Sequence, residues 1–99
     1  MDEASGDRRR SVRVRITGRV QGVGYRYWTE AVAAELGLAG WVRNRRDGSV
    51  EALFAGPSAA VDEMLSRCRD GPRSAAVVAV TILEEGAAAP AGFEVLPTA

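Results

Sequence analysis

The run Gly18-Arg19-Val20-Gln21-Gly22-Val23-Gly24-Tyr25-Arg26 sets three glycines within seven residues and ends on an arginine. Glycine reaches backbone conformations closed to other residues, so successive N–H groups in such a turn can converge on one concavity at the start of a helix, where an anion is favoured. Arg26 adds a planar, permanently charged fork whose donors match pairs of phosphate oxygens. These residue types describe an oxyanion cradle made of Arg26 and the backbone amides of Gln21, Gly22, Val23, Gly24 and Tyr25. The same spacing also serves a plain strand-to-helix connection, and spacing alone leaves both readings open. Further along, Asn44 stands just before a turn. Its amide oxygen accepts and its NH2 donates, so it can hold a water without ionising. It can equally be a strand-end residue that satisfies nearby backbone.

The absent residue types narrow the chemistry. The 99 residues include no histidine and one cysteine, and the acids lack calcium-loop spacing, so zinc, copper and calcium ligand sets are missing and a chemistry without metal or cofactor is expected. Cys68 has no intramolecular disulfide partner, which suits a reducing, cytoplasmic compartment. No apolar h-region follows Met1-Asp2-Glu3 and no stretch approaches a membrane span, so a soluble protein is expected. Net charge is zero, yet residues 1–50 carry ten arginines against six acids and residues 51–99 carry three against seven. An anion therefore belongs with the front half. Arg19, Arg43 and Arg45 read as solvated, with steering of an anionic substrate as the alternative role.

Positioning these groups requires elements, and the periodicities supply them. Residues 1–11 are polar, include Arg8-Arg9-Arg10, and read as a flexible tail ahead of a single domain over 12–99. Val12, Val14 and Ile16 alternate with polar residues, as in a strand with one buried face. Tyr25, Trp28, Thr29, Val32 and Leu36 recur at helical spacing, and Gly37 supplies the stop. Residues 40–46 and 49–55 read as strands joined across Arg46-Asp47-Gly48, a hairpin signal. Val61, Met64, Leu65 and Cys68 share one face of a second helix, which makes Cys68 a buried small hydrophobe rather than a nucleophile. Residues 75–83 form a β-rich run and 93–96 a short extended piece that can add a fifth strand. The order β-α-β-β-α-β is the ferredoxin-like α+β sandwich: a four-stranded antiparallel sheet with two helices on one face.

The glycine-rich run resembles the first signature of the acylphosphatases, whose pattern is Gly-x-Val-Gln-Gly-Val-x-aromatic-Arg. Gly40-Trp41-Val42-Arg43-Asn44-Arg45-Arg46-Asp47-Gly48-Ser49-Val50-Glu51 resembles the family's strand, turn and strand. Weaker family marks fall at Gly71-Pro72 and Phe93-Glu94-Val95, so the resemblance spans about residues 12 to 96. It implies the ferredoxin-like fold and hydrolysis of the carboxyl–phosphate bond of a small acyl phosphate, with Arg26 and Asn44 catalytic and the amides of 21–25 on the phosphate; separately, a small sandwich of this kind has no evident need of a partner, so a monomer is expected. Gly24 and Tyr25 stand where many members have two phenylalanines, and Leu96-Pro97-Thr98-Ala99 lacks the aromatic or basic ending common in the family. Two other classes fit the fold. A nucleic-acid module would need an RNP1-type aromatic run, which is missing, so no nucleic-acid partner is expected. A non-catalytic anion-binding or regulatory domain is the remaining alternative.

Overall fold

The computed structural model describes residues 8–99. Seven elements follow in order: β1 (Arg9–Arg19), α1 (Tyr25–Glu35), β2 (Ala39–Asn44), β3 (Val50–Pro57), α2 (Ser58–Asp70), β4 (Ala76–Glu85) and β5 (Phe93–Val95). The strands form one sheet in the order β4-β1-β3-β2-β5. All neighbours are antiparallel except β2 and β5, which run parallel. This is the expected ferredoxin-like arrangement, and the short C-terminal piece does add a fifth strand.

Alternation decides which side of the sheet the helices cover. Val12, Val14 and Ile16 of β1, Val42 of β2, and Ala52 and Phe54 of β3 are fully buried and meet Val32, Ala33, Val61, Met64 and Cys68 from the two helices. On α1 the buried set is Tyr25, Thr29, Val32 and Ala33, while Trp28 and Leu36 lie half-buried at its margin. The stripe is thus rotated slightly from the one the large side chains suggest, since small Ala33 is fully buried on it. Tyr25 buries its ring and donates its hydroxyl to the Cys68 carbonyl at 2.6 Å, tying the start of α1 to the end of α2. Burial pushes the Cys68 thiol up to about 12, so it stays protonated and unreactive.

β3 and β4 run on to Pro57 and Glu85, past the expected 55 and 83, and two further boundaries differ, the first at the start of β1. The strand begins at Arg9, not after residue 11: Arg9, Arg10 and Ser11 pair with Pro57, Gly56 and Ala55, and Arg10 bridges Asp62 and Glu85. Backbone pairing needs no apolar side chains, so it outruns the alternation that marks the strand. Residues 1–7 of the expected tail lie outside the described residues.

The second difference bears on the site. β2 stops at Asn44, two residues before the end of the expected strand, because residues 45–49 close their own turn. The Arg45 N–H donates to the Ser49 carbonyl at 2.8 Å and the Gly48 N–H to the Arg45 carbonyl at 3.1 Å. The Asp47 carboxylate accepts from the Ser49 N–H at 2.9 Å and from its hydroxyl at 2.6 Å. Asn44 is therefore the last residue of its strand.

Candidate active site

The connection from β1 to α1 is shaped by glycines with positive φ. Gly22 (φ 75°) and Gly24 (φ 79°) take left-handed conformations, and a Cβ on either would meet nothing within 4 Å. Their role is conformational rather than one of close packing: the chain needs the turn, and the turn leaves open space beside it. Gly24 occupies the N-cap of α1 in the left-handed region, no side chain caps the helix, and no acid stands in its first turn. Among the described residues the positive end of α1 thus has no side-chain acceptor of its own. A side chain with a Cβ at position 24 would be strained at this φ.

Arg26 lies in the first turn of α1. Its Nη1 donates to the Leu96 carbonyl at 3.3 Å, and its guanidinium stands 6.0 Å from the centroid of the Tyr27 ring. Asn44 arrives from the end of β2. It lies two residues after buried Val42, on the helix-covered face, whereas Arg43 and Arg45 alternate onto the opposite face. Asn44 Oδ1 is buried and accepts no hydrogen bond among the described residues. A buried acceptor without a donor costs about 1–3 kcal/mol, which an O–H aimed at it would recover.

These groups meet in one cleft of about 190 Å³, lined by Val20, Gly22, Gly24, Tyr25, Arg26, Tyr27 and Asn44. Of the residues singled out in the sequence, Arg26, Asn44, Gly22, Gly24 and Tyr25 line it; Gln21 and Val23 belong to the same loop without lining it. Tyr25 contributes backbone here, since its ring is packed inward. Tyr27 is the residue that sequence reasoning missed. It is 65% exposed and off the apolar stripe, and its place beside Arg26 in the signature was the signal available.

A larger, shallow groove of about 460 Å³ occupies the open face of the sheet, with Arg13, Arg15, Arg43 and Arg45 along it. Arg43 and Arg45, expected to be solvated, instead turn with Arg13 onto Glu51, at 2.9, 3.0 and 2.8 Å. Burial alone would raise the Glu51 pKa, but the bonds and charges of Arg43, Arg13 and Arg45 outweigh it and hold the carboxyl below its ordinary range. These cations are already matched to an internal anion. Among the described residues Arg26, in the smaller cleft, makes no ion pair; its Nη1 meets only the Leu96 carbonyl.

The acylphosphatase family model matches residues 12–95. The chain belongs to the acylphosphatase family. An acylphosphatase of Mesorhizobium japonicum is 55% identical over 91 residues, covering 91% of this chain and 97% of the relative. One of Nitrobacter hamburgensis is 71% identical over 65 residues, 66% of each chain. The structure of an acylphosphatase from Coxiella burnetii superposes with a TM-score of 0.85 at 31% identity, covering 97% of this chain and 100% of that one. Within this acylphosphatase frame the backbone, not an aromatic or basic ending, secures the C-terminal segment. The Leu96 N–H donates to the Val42 carbonyl at 2.8 Å and the Ala99 N–H to the Asn44 carbonyl at 3.0 Å.

Proposed function

We propose that this chain carries out the family's hydrolysis of the carboxyl–phosphate bond with Arg26 and the amides of Gln21, Gly22, Val23, Gly24 and Tyr25 on the phosphoryl oxygens and Asn44 on the attacking water. An acyl phosphate is a mixed anhydride whose leaving carboxylate has a conjugate-acid pKa of about 4, so no general acid is required to expel it. A chain without histidine suits that chemistry. What remains is charge stabilisation and alignment, the usual content of phosphoryl transfer. The fork of Arg26 and the uncapped end of α1 address the phosphoryl charge. Asn44 Oδ1 accepts an O–H of the water and points its lone pair at phosphorus. As the P–O bond to the water forms, the P–O bond to the acyl oxygen breaks and the carboxylate leaves with the electron pair. The neutral amide is a poor base, so the water's proton passes to a phosphoryl oxygen, giving carboxylate and inorganic phosphate.

The observation that carries the reading is that Asn44, whose buried Oδ1 has no hydrogen-bond partner among the described residues, lines the same cleft as Arg26. Turnover of benzoyl phosphate, followed by the absorbance change on loss of the mixed anhydride, tests it. Turnover with competitive inhibition by inorganic phosphate is expected. Phosphate binding without turnover would leave only an anion-binding domain, and non-competitive inhibition would put the anion elsewhere. The lone cysteine supports a reducing, cytoplasmic site of action, and a core closed between one sheet and two helices suits a monomer.

A further inference from the structure

Gln21 does not line the cleft, but its side chain makes a contact that its place in a phosphate loop would not require. Nε2 donates to the Arg45 carbonyl at 2.7 Å and to the Ser49 carbonyl at 2.8 Å. Both amide protons are used, and with two carbonyls facing it only the nitrogen can occupy that position. Arg45 directly follows Asn44, and the Ser49 carbonyl also receives the Arg45 N–H, closing the hairpin. One side chain from the loop therefore clasps the closing pair of the turn at whose edge Asn44 sits. Among the described residues no other hydrogen bond links residues 20–24 to the turn at 45–49.

We infer that Gln21 is a positioning residue for the hydrolysis, setting the distance between the phosphate cradle and the amide of Asn44. The inference rests on the mechanism proposed above. The cradle and Asn44 come from segments far apart in the chain, and each has its own local support: glycine turns for the one, a closed hairpin for the other. Neither support fixes their separation. In-line attack is sensitive to that separation, since a shift of about 1 Å in a reacting group can cost on the order of 100-fold. Two hydrogen bonds from one short, partly buried side chain are suited to holding it.

The test is a kinetic cycle with benzoyl phosphate: Gln21→Leu, Asn44→Ala and the double variant, with kcat, KM and the inhibition constant for inorganic phosphate, and circular dichroism to confirm folding. Gln21→Leu is expected to lower kcat by about 10- to 100-fold while KM and the phosphate constant stay within about threefold. In the Asn44→Ala background the same change should cost less than about threefold, because there is no longer an amide to position. Gln21→Glu, which turns acceptors toward the two carbonyls, should be at least as damaging as Leu. Equal losses in both backgrounds would mean general loosening of the fold, and unaltered kcat in Gln21→Leu would mean the clasp is idle; either overturns the inference. Should the Leu variant not fold, Gln21→Asn, one methylene shorter with the amide retained, carries the same comparison. Loss of rate in Arg26→Ala and Asn44→Ala without loss in the Gln21 variants would remove the positioning role alone, whereas a wild-type chain with no turnover would remove the mechanism beneath it.

Discussion

In the proposed mechanism Arg26 and Asn44 divide the work between charge and geometry. A guanidinium has five N–H donors, and that of Arg26 spends one on the Leu96 carbonyl at 3.3 Å, a contact that aims the fork without consuming it. Lysine offers a point charge and no pair of parallel donors. Arg26→Ala and Arg26→Lys should therefore both lose about 2–4 kcal/mol of transition-state stabilisation, roughly 30- to 1000-fold in kcat/KM. A Lys variant near the wild-type rate would make Arg26 a steering charge only. For Asn44 the separating pair is Ala against Asp. If the amide only orients water, Asn44→Ala should lower kcat by about 100- to 1000-fold and leave phosphate inhibition within about threefold. Asn44→Asp should be no faster, because its negative charge faces an anionic phosphoryl group. A faster Asp variant would mean that proton removal limits the rate.

At the scale of elements the sheet depends on close backbone approaches that only glycine permits. Gly40, at φ 138°, lies between β3 and β5, and a Cβ there would fall 1.8 Å from the Leu53 carbonyl oxygen. Gly40→Ala should cost at least about 2 kcal/mol in urea unfolding, since either β2 separates from β3 or the backbone must move. Gly37, at φ 71° with nothing within 4 Å, is the control: Gly37→Ala should cost only the conformational penalty of about 1–2 kcal/mol. Similar losses in the two would show that steric contact at Gly40 adds nothing. The open face supplies a second prediction. Glu51 is 6% exposed and held by three arginines, and its carboxyl titrates below the ordinary value of 4.5. A depressed carboxylate contributes stability that is complete above its unfolded pKa and is lost as pH falls through the folded one. Stability should thus decline as pH drops below 4.5. Glu51→Gln should cost about 1.5–3 kcal/mol at neutral pH and flatten that decline. An unchanged acid profile in the variant would assign the decline to other carboxylates.

For the whole molecule, five arginines of the front half divide between two sites: Arg13, Arg15, Arg43 and Arg45 line the open groove and Arg26 the cleft. Alternation along β2 sends Arg43 and Arg45 to the open face and Asn44 to the helix side, so adjacent residues serve a structural ion cluster and a reactive cleft. Much of this was legible in the chain itself. Period-two and helical patterns reported which face of each element is buried, and glycine spacing before Arg26 marked a turn with left-handed backbone, because side-chain periodicity and backbone freedom are local properties. The strand order was legible only through the element sequence and the family motifs. Other features arose only when distant segments became neighbours. The Gln21 clasp spans 24 and 28 residues, and the Arg26 contact with Leu96 spans 70. Glu51 gathers Arg13 from β1 and Arg43 from β2 because β3 lies between those strands. The sequence alone determined the residue types, the buried faces and the turn that can receive a phosphate. The tertiary structure decided which side chain bridges that turn and the hairpin beside Asn44 and which arginines are paired elsewhere, because hydrogen bonds and ion pairs form between spatial neighbours, and register across the sheet makes those neighbours.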